Sequence, residues 1–479
     1  MFKKKRVLRS AIFLTALLVV TTAQASHFRY GHITWTTGTT ANSVNVTLRG
    51  AWRGNGYNNR CINPVSMTAI ACTGPGSLAG VGDIIRESIG FSQFNWGDGS
   101  ARVGSPFGPL LYLVTSIDPV NNWLSGIAVD PTSLPIANPG DSIDTVLSHT
   151  YNTTGAFTAS LASCCRISRV ASPNEHINNP DGSYRIETTI DLSAGNNSPA
   201  SVQDPVVLCP INAICNFAIP ATDVDRDTIS FRLSTSAEAG GSFRQPGSLG
   251  SGAPNPASID PLTGIYTWDT AGANLATSGR NTLYSTQVMI EDGGTKVPLD
   301  FFIQLTTVDP TPPIIQPPTN SPPICNTTQA ITLGDTLTFD IVASDADTGD
   351  TVTLNSAGLP SGAFTTPVLP ITGNPVSSTF RWTPGATQVG NILISFSATS
   401  SSGGFSQCPV TLQVLAVQKC DVDGDNNIDA DDISLIFTAR NTPATDSNDL
   451  RDVDNDNVIT VLDARQCTLR CDLTNCQIL

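Results

Sequence analysis

The chain has 479 residues and a formal charge of −15, with 14% charged against 40% hydrophobic side chains. Of its 40 acids, 35 are Asp and five are Glu, and five of its 25 basic residues lie within the first nine positions. Scarce, dispersed Lys and Arg exclude a nucleic-acid binder, which needs a clustered basic face. The shortage of Glu, Lys and helical periodicity excludes a bundle or coiled coil.

Residues 1–25 carry the pattern of a secretory signal peptide. A basic stretch from Lys3 to Arg9 precedes an apolar stretch from Ala11 to Val20, and Ala23-Gln24-Ala25 supplies the small residues before the cut. Export to a secreted or cell-surface location is the expectation. No later apolar run reaches the roughly 20 residues that a membrane-spanning helix needs.

From residue 26 to about 418 short segments rich in Val, Ile, Thr, Phe and Tyr alternate with Gly, Pro, Asn and Asp turns. The stretch 26–195 forms an N-terminal β domain. Within it, Phe94-Asn-Trp-Gly-Asp-Gly-Ser100 and the later His149-Thr-Tyr151 and Gly155-Ala-Phe-Thr-Ala-Ser-Leu161 resemble a polycystic-kidney-disease-type β-sandwich repeat. An internal repeat follows. Ala221-Thr-Asp-Val-Asp-Arg-Asp-Thr228 matches Ala343-Ser-Asp-Ala-Asp-Thr-Gly-Asp-Thr351, and Tyr266-Thr-Trp268 matches Phe380-Arg-Trp382. Two sandwiches explain it, at 196–310 and 324–416, joined by a Pro-rich linker at 311–323. The first resembles cadherin-like and bacterial putative-Ig domains through Ala257-Ser-Ile-Asp-Pro-Leu-Thr-Gly-Ile265 and Tyr284-Ser-Thr-Gln-Val-Met-Ile-Glu-Asp-Gly-Gly294. The fold class expected is therefore mainly β: tandem Ig-like or cadherin-like sandwiches with a small helical unit at the C-terminus.

The twelve cysteines group along the chain as Cys61, Cys72, Cys164 and Cys165; Cys209 and Cys215; Cys325 and Cys408; and Cys420, Cys467, Cys471 and Cys476. In an exported chain they read as disulfides closed within each region. The pairs 209–215 and 325–408 follow from this grouping. Each group of four leaves three connectivities open.

Residues 417–479 hold the sharpest chemistry. From Lys419 onward, 13 Asp face five Lys and Arg. Asp421, Asp423, Asp425, Asp429 and Asp432 occupy positions 1, 3, 5, 9 and 12 of one loop, with the Asn427 carbonyl at position 7. Asp452, Asp454, Asp456, Thr460 and Asp463 repeat the pattern 31 residues later, with the Val458 carbonyl at position 7. This is EF-hand calcium spacing, in which a hard cation takes six or more oxygens from a curled loop. Asn426 and Asn457 stand where Gly is usual and tolerate the left-handed turn. Two loop–helix units with Asp at position 12 resemble a type I dockerin, and the whole chain resembles an exported bacterial multidomain protein. The dockerin resemblance implies a folded calcium module and an extracellular partner, either a cohesin-like or adhesion protein or a polysaccharide.

Asp223, Asp225 and Asp227, with Asp260 and Asp292, are further calcium candidates, set against an ordinary Asp-rich turn. For Asp345, Asp347 and Asp350 the turn is preferred, because Ser402 replaces the acid matching Asp292. Four histidines are present, and no GxSxG, HExxH or P-loop pattern occurs. Catalytic residues are not expected. The function expected is a secreted, calcium-binding, non-catalytic adhesion, binding or structural protein built of Ig-like domains with a dockerin-like docking module; the alternative is a component of an extracellular polysaccharide-degrading system, either a dockerin-bearing accessory protein or a carbohydrate-active enzyme.

Overall fold

The structure is a computed structural model. It describes residues 28–54, 61–86, 93–103, 110–118, 122–138, 141–171, 173–193, 195–225, 227–277, 279–307, 312–316, 324–325, 327–333, 335–385, 388–415, 419–423, 428–445, 449–454, 456–471 and 476. The proposed signal peptide lies outside the described residues, as do Asp425 and Asn427.

The architecture is mainly β. In the strand Ser43–Arg53, Val44, Val46 and Leu48 point into the core while Asn45, Thr47 and Arg49 are partly exposed, the two-residue period of a half-buried strand. It pairs antiparallel with Phe28–Thr37 and Trp123–Ala128. Its core gathers Trp35, Trp52, Phe94, Trp96, Tyr112 and Tyr151. The two motif segments noted in this region meet there. The His149 ring stacks on Trp96 and contacts Asp98 through Nε2 at 2.8 Å, and the Tyr151 hydroxyl donates to the Trp96 carbonyl at 3.0 Å.

The boundary expected at 195/196 is crossed by one continuous sheet. Phe28–Thr37 pairs with Lys296–Thr306, placing Gly31 opposite Asp300 and His32 opposite Leu299. Tyr184–Asp191 joins the same strand at Thr189, and Asn174–His176 runs parallel to the start of Asn281–Glu291. The hairpin Asn281–Glu291/Lys296–Thr306 is buried over nine consecutive residues of each strand. The polar triplet Ser285, Thr286 and Gln287 is covered by hydrogen bonds from Ser285 N to Asn178 Oδ1, from Thr286 Oγ1 to Gln245 Oε1, and from Gln287 Nε2 to the Arg185 carbonyl. Gly31 is needed at the crossing, because a Cβ there would come within 2.8 Å of Ile186.

At the junction Arg166 and Asp300 form a bidentate ion pair with both side chains at 0% exposure. Gln287 Nε2 donates to the same carboxylate at 2.9 Å, and the guanidinium lies over the rings of Phe28 and Phe243. Buried His32 ties the next step. Its Nε2 accepts from Ser201 N, so Nδ1 donates to the Pro298 carbonyl at 2.7 Å.

The third unit is a two-sheet sandwich around Phe380, Trp382 and Phe396. Part of the expected linker belongs to it, since Ile314–Gln316 pairs with Leu337–Ser344. In both repeats an early strand runs parallel to the last: Val206–Pro210 with Lys296–Thr306, and Thr327–Thr332 with Phe405–Leu415. The third unit rests on the preceding body. Gly358 packs on Val202 so tightly that a Cβ would sit 2.4 Å from it, and buried Asp204 accepts a hydrogen bond from Ser397.

Six disulfides join Cys61–Cys72, Cys164–Cys165, Cys209–Cys215, Cys325–Cys408, Cys420–Cys467 and Cys471–Cys476. The C-terminal unit holds helices α1 (Ala430–Thr438) and α2 (Val461–Thr468).

Two predictions follow from these contacts. Asp300→Ala leaves Arg166 charged, buried and unpaired, and should lower unfolding free energy in urea by about 3–5 kcal/mol, whereas Arg166→Met with Asp300→Leu should lose far less. Burial pushes the Asp204 carboxyl up to about 7 from its ordinary 3.8, with Asp118 adding repulsion against the Ser397 hydrogen bond. The folded state then holds a proton that the unfolded chain has released. Stability should fall as pH rises from about 4 to 7 and level off above, and Asp204→Asn should flatten that slope in urea titrations.

Candidate metal centres

The two acidic loops are built by the same bonds. In the first, Asp432 Oδ1 accepts from Val422 N at 2.6 Å and Asp423 N at 3.2 Å, while Oδ2 accepts from Asp429 N at 2.9 Å. In the second, Asp463 Oδ1 accepts from Val453 N at 2.7 Å and Asp454 N at 3.3 Å, while Oδ2 accepts from Thr460 N at 2.7 Å. Both carboxylates are at 0% exposure. Each also closes a capping box, with Asp429 as N-cap of α1 and Thr460 as N-cap of α2. The acid at position 12 therefore fastens the start of its loop to the helix that follows.

This fastening brings carboxylates together. Oxygens of Asp421, Asp423 and Asp432 lie within 4.8 Å of one another, as do those of Asp452, Asp454 and Asp463. Asp452 is 1% exposed; its Oδ2 accepts from Asn457 N, and its Oδ1 has no hydrogen-bond partner. Partial desolvation within the loop, together with repulsion from Asp463, Asp456 and Asp452, holds the exposed Asp454 carboxyl above its ordinary value. Asn457 adopts the left-handed conformation at φ 69°. Ile428 and Ile459 are buried between the loops.

Other expected ligands are engaged elsewhere. Asp429 Oδ1 and Thr460 Oγ1 accept from the first turns of their helices, at Asp431 N and Leu462 N. Asp456 lies at the surface, with Oδ1 accepting from Val458 N.

In the first repeat, oxygens of Asp223, Asp225 and Asp227 also lie within 4.8 Å. Asp223 is 3% exposed; Oδ1 accepts from the amides of Asp225 and Asp227, and Oδ2 has no partner. Burial pushes its carboxyl up to about 6, with repulsion from Asp225 and Asp292 adding to this. Asp292 is near but organises its own turn, accepting from Gly294 N and Thr295 N. Asp260 is not part of the group; its carboxylate accepts from Leu262 N and Thr263 N. The second repeat has the same arrangement. Asp345, Asp347 and Asp350 cluster, and Asp345 Oδ2 is buried without a partner. There Ser401 and Ser402 donate to Asp350, and Asn374 Nδ2 donates to the carbonyls of Asp345, Asp347 and Asp350. A fifth group, Cys61, Cys72 and Asp83, is not a centre: the two cysteines form a disulfide, and Asp83 Oδ2 accepts from Thr73 N and Gly80 N.

Comparison with known proteins places the chain in context. Residues 29–193 match the family described as integrin beta-like protein A-E, N-terminal. Integrin beta-like protein C of Dictyostelium discoideum is 26% identical over 438 residues, covering 82% of this chain and 19% of that protein. Integrin beta-like protein A of the same organism is 25% identical over 308 residues, covering 62% of this chain and 13% of its own length. Human protocadherin-24 EC1-2 aligns with 46% of this chain and 99% of its own at 12% identity and a TM-score of 0.18. The chain spans about a fifth or less of the length of these curated relatives.

Proposed function

We propose that the chain is a non-catalytic adhesion or binding protein that works outside the cytoplasm and takes calcium in its C-terminal loops. The observation that carries the calcium reading is the repeated loop geometry. Each loop gathers three carboxylates around position 12, and the second buries an Asp452 oxygen with no hydrogen-bond partner. Hard oxygen donors in a curled loop suit calcium. A divalent cation would offset the repulsion among Asp452, Asp454 and Asp463, so that binding and ordering of the unit are linked. The Asp223 group offers a second type of centre on the same grounds, without Asp260. The adhesion reading draws on the integrin beta-like relatives and the sandwich architecture. Six disulfides suit an oxidising, extracellular setting. The C-terminal unit then acts as a docking module for another extracellular protein.

Calorimetry on the chelator-stripped full chain should show calcium uptake at about 10⁻³ M or tighter. Asp421→Asn with Asp452→Asn should remove the two ions of the loops; unchanged stoichiometry would refute the loop assignment. Trypsin cleavage at Arg440, Arg451 and Arg465 should slow roughly tenfold with calcium at ten times its dissociation constant.

The adhesion reading is tested separately. Beads coated with the protein should aggregate, or capture cells, in calcium and disperse in chelator. Indifference to both conditions would leave the adhesion reading without support.

A further inference from the structure

The third sandwich meets the preceding body through short polar side chains and turns. In its strand Gly390–Ser400, Ile394, Phe396 and Ala398 belong to the sandwich core. The alternate residues Ser395, Ser397 and Thr399 therefore face outward, yet they are 1%, 6% and 9% exposed. The body lies over this row. Ser397 donates to Asp204, itself 4% exposed, and Thr399 lines a cleft shared with Leu208 and Gln304. Glycines of the third sandwich make other contacts. A Cβ on Gly358 would come within 2.4 Å of Val202, on Gly390 within 3.1 Å of Val224, and on Gly403 within 3.1 Å of Thr306. Phe405 adds one large apolar side chain, packed on the cluster of Val206, Leu208 and Phe302. Domains held through hydroxyls and glycines, rather than a broad apolar face, move relative to one another.

Asp204 is the acid at this contact. The first strands of the body bring Tyr30 and Arg49 beside it, and the third sandwich brings the uncharged turn 356–359. Asp118, at the end of Leu111–Asp118, repels it. Burial pushes the Tyr30 phenol up, against the pull of Arg49. Arg29 is buried near Asp118 and Arg53. His32, whose Nε2 takes Ser201 N, is pushed down to about 4 by burial.

The sign of the proton's effect follows from burial. Burial pushes the Asp204 carboxyl up to about 7, with the Ser397 hydrogen bond opposing and Asp118 adding repulsion. Lifting the third sandwich away returns it toward its ordinary 3.8. Docking is then strongest below about pH 4, weakens by up to tenfold per pH unit as pH rises to about 7, and levels off above.

We propose that the third sandwich is a reversible latch on the body, docked while Asp204 carries its proton and released when Asp204 ionises. Release uncovers Phe405 and the hydroxyl row, and carries the acidic C-terminal unit away with the sandwich. The loss of stability with rising pH is then first a loss of docking and only afterwards of folding. Neither calcium in the loops nor the adhesion role enters this reading.

The test is small-angle scattering of the full, disulfide-intact chain from about pH 4 to 8, at fixed ionic strength and fixed calcium. Far-ultraviolet circular dichroism follows folding in the same samples. The radius of gyration should rise with pH along a one-proton curve while the circular dichroism stays constant. Asp204→Asn should stay compact throughout, because an amide does not ionise. Ser397→Ala removes a hydrogen bond from the ionised carboxylate and keeps Asp204, and should move the rise to lower pH. Ser395→Arg places a charge in the buried row and should be extended at every pH, which supplies the radius of the released form. A wild-type radius that stays compact over the whole range would overturn the proposal. So would a rise that persists in Asp204→Asn, or an Asp204→Asn chain extended at every pH.

Discussion

Two opposite charges at 0% exposure face each other where the N-terminal strands reach the last strand of the first repeat. Arg166 and Asp300 belong to segments 134 residues apart, and neither tolerates burial without the other. Taking both out of water carries a desolvation penalty of several kcal/mol per ion, so the pair does not stabilise the fold in any simple sense. It acts through the penalty of every alternative. Any arrangement that separates the N-terminal strands from Lys296–Thr306 without exposing both groups to water strands a charge. Gln287 completes the carboxylate, and the Phe28 and Phe243 rings cover the guanidinium. The single sheet crosses at this junction, with Gly31 opposite Asp300.

The Asp excess has two physical uses. Short carboxylates accept amide hydrogens one or two residues on and so set turns. Asp98 with Ser100, Asp130 with Thr132, Asp191 with Ser193 and Asp269 with Ala271 all work this way. In these cases one oxygen is spent on the turn and the rest of the side chain faces solvent or a partner. The clusters led by Asp223 and Asp345 share that turn but bury the second oxygen without a partner. Much of the acidity is therefore turn chemistry, and what sets the clusters led by Asp223 and Asp345 apart is the burial of one oxygen.

Part of this was legible in the chain. Period-two strands, the internal repeat and the pairing of Cys325 with Cys408 rest on local pattern and count. The shared sheet was not, because it depends on pairings between residues more than 100 positions apart and on polar side chains buried in pairs. Within that sheet, Asn178 and Gln245 cover the polar Ser285 and Thr286 through hydrogen bonds. The acidic loops were legible in spacing, and the structure adds that Asp432 and Asp463 tie loops to helices before any cation is considered. The bond between the adjacent Cys164 and Cys165 was one of three open connectivities, with nothing in their spacing to select it.

The two acidic loops are not independent sites. Cys420 N donates to the Leu450 carbonyl at 3.0 Å, and Lys419 Nζ donates to the carbonyls of Asp449 and Asp452. The entry to the first loop is thus fastened to the entry of the second. Thr442–Pro443 pairs with Val458–Ile459, and the Cys420–Cys467 bond holds the first loop to α2. With so small an apolar cluster between them, neither half has enough buried surface to order alone. Whatever fixes Asp452 also fixes the backbone that Lys419 and Cys420 hold, and through them the position of Asp421. The two loops are thus linked by hydrogen bonds, a short strand pair and one covalent bond.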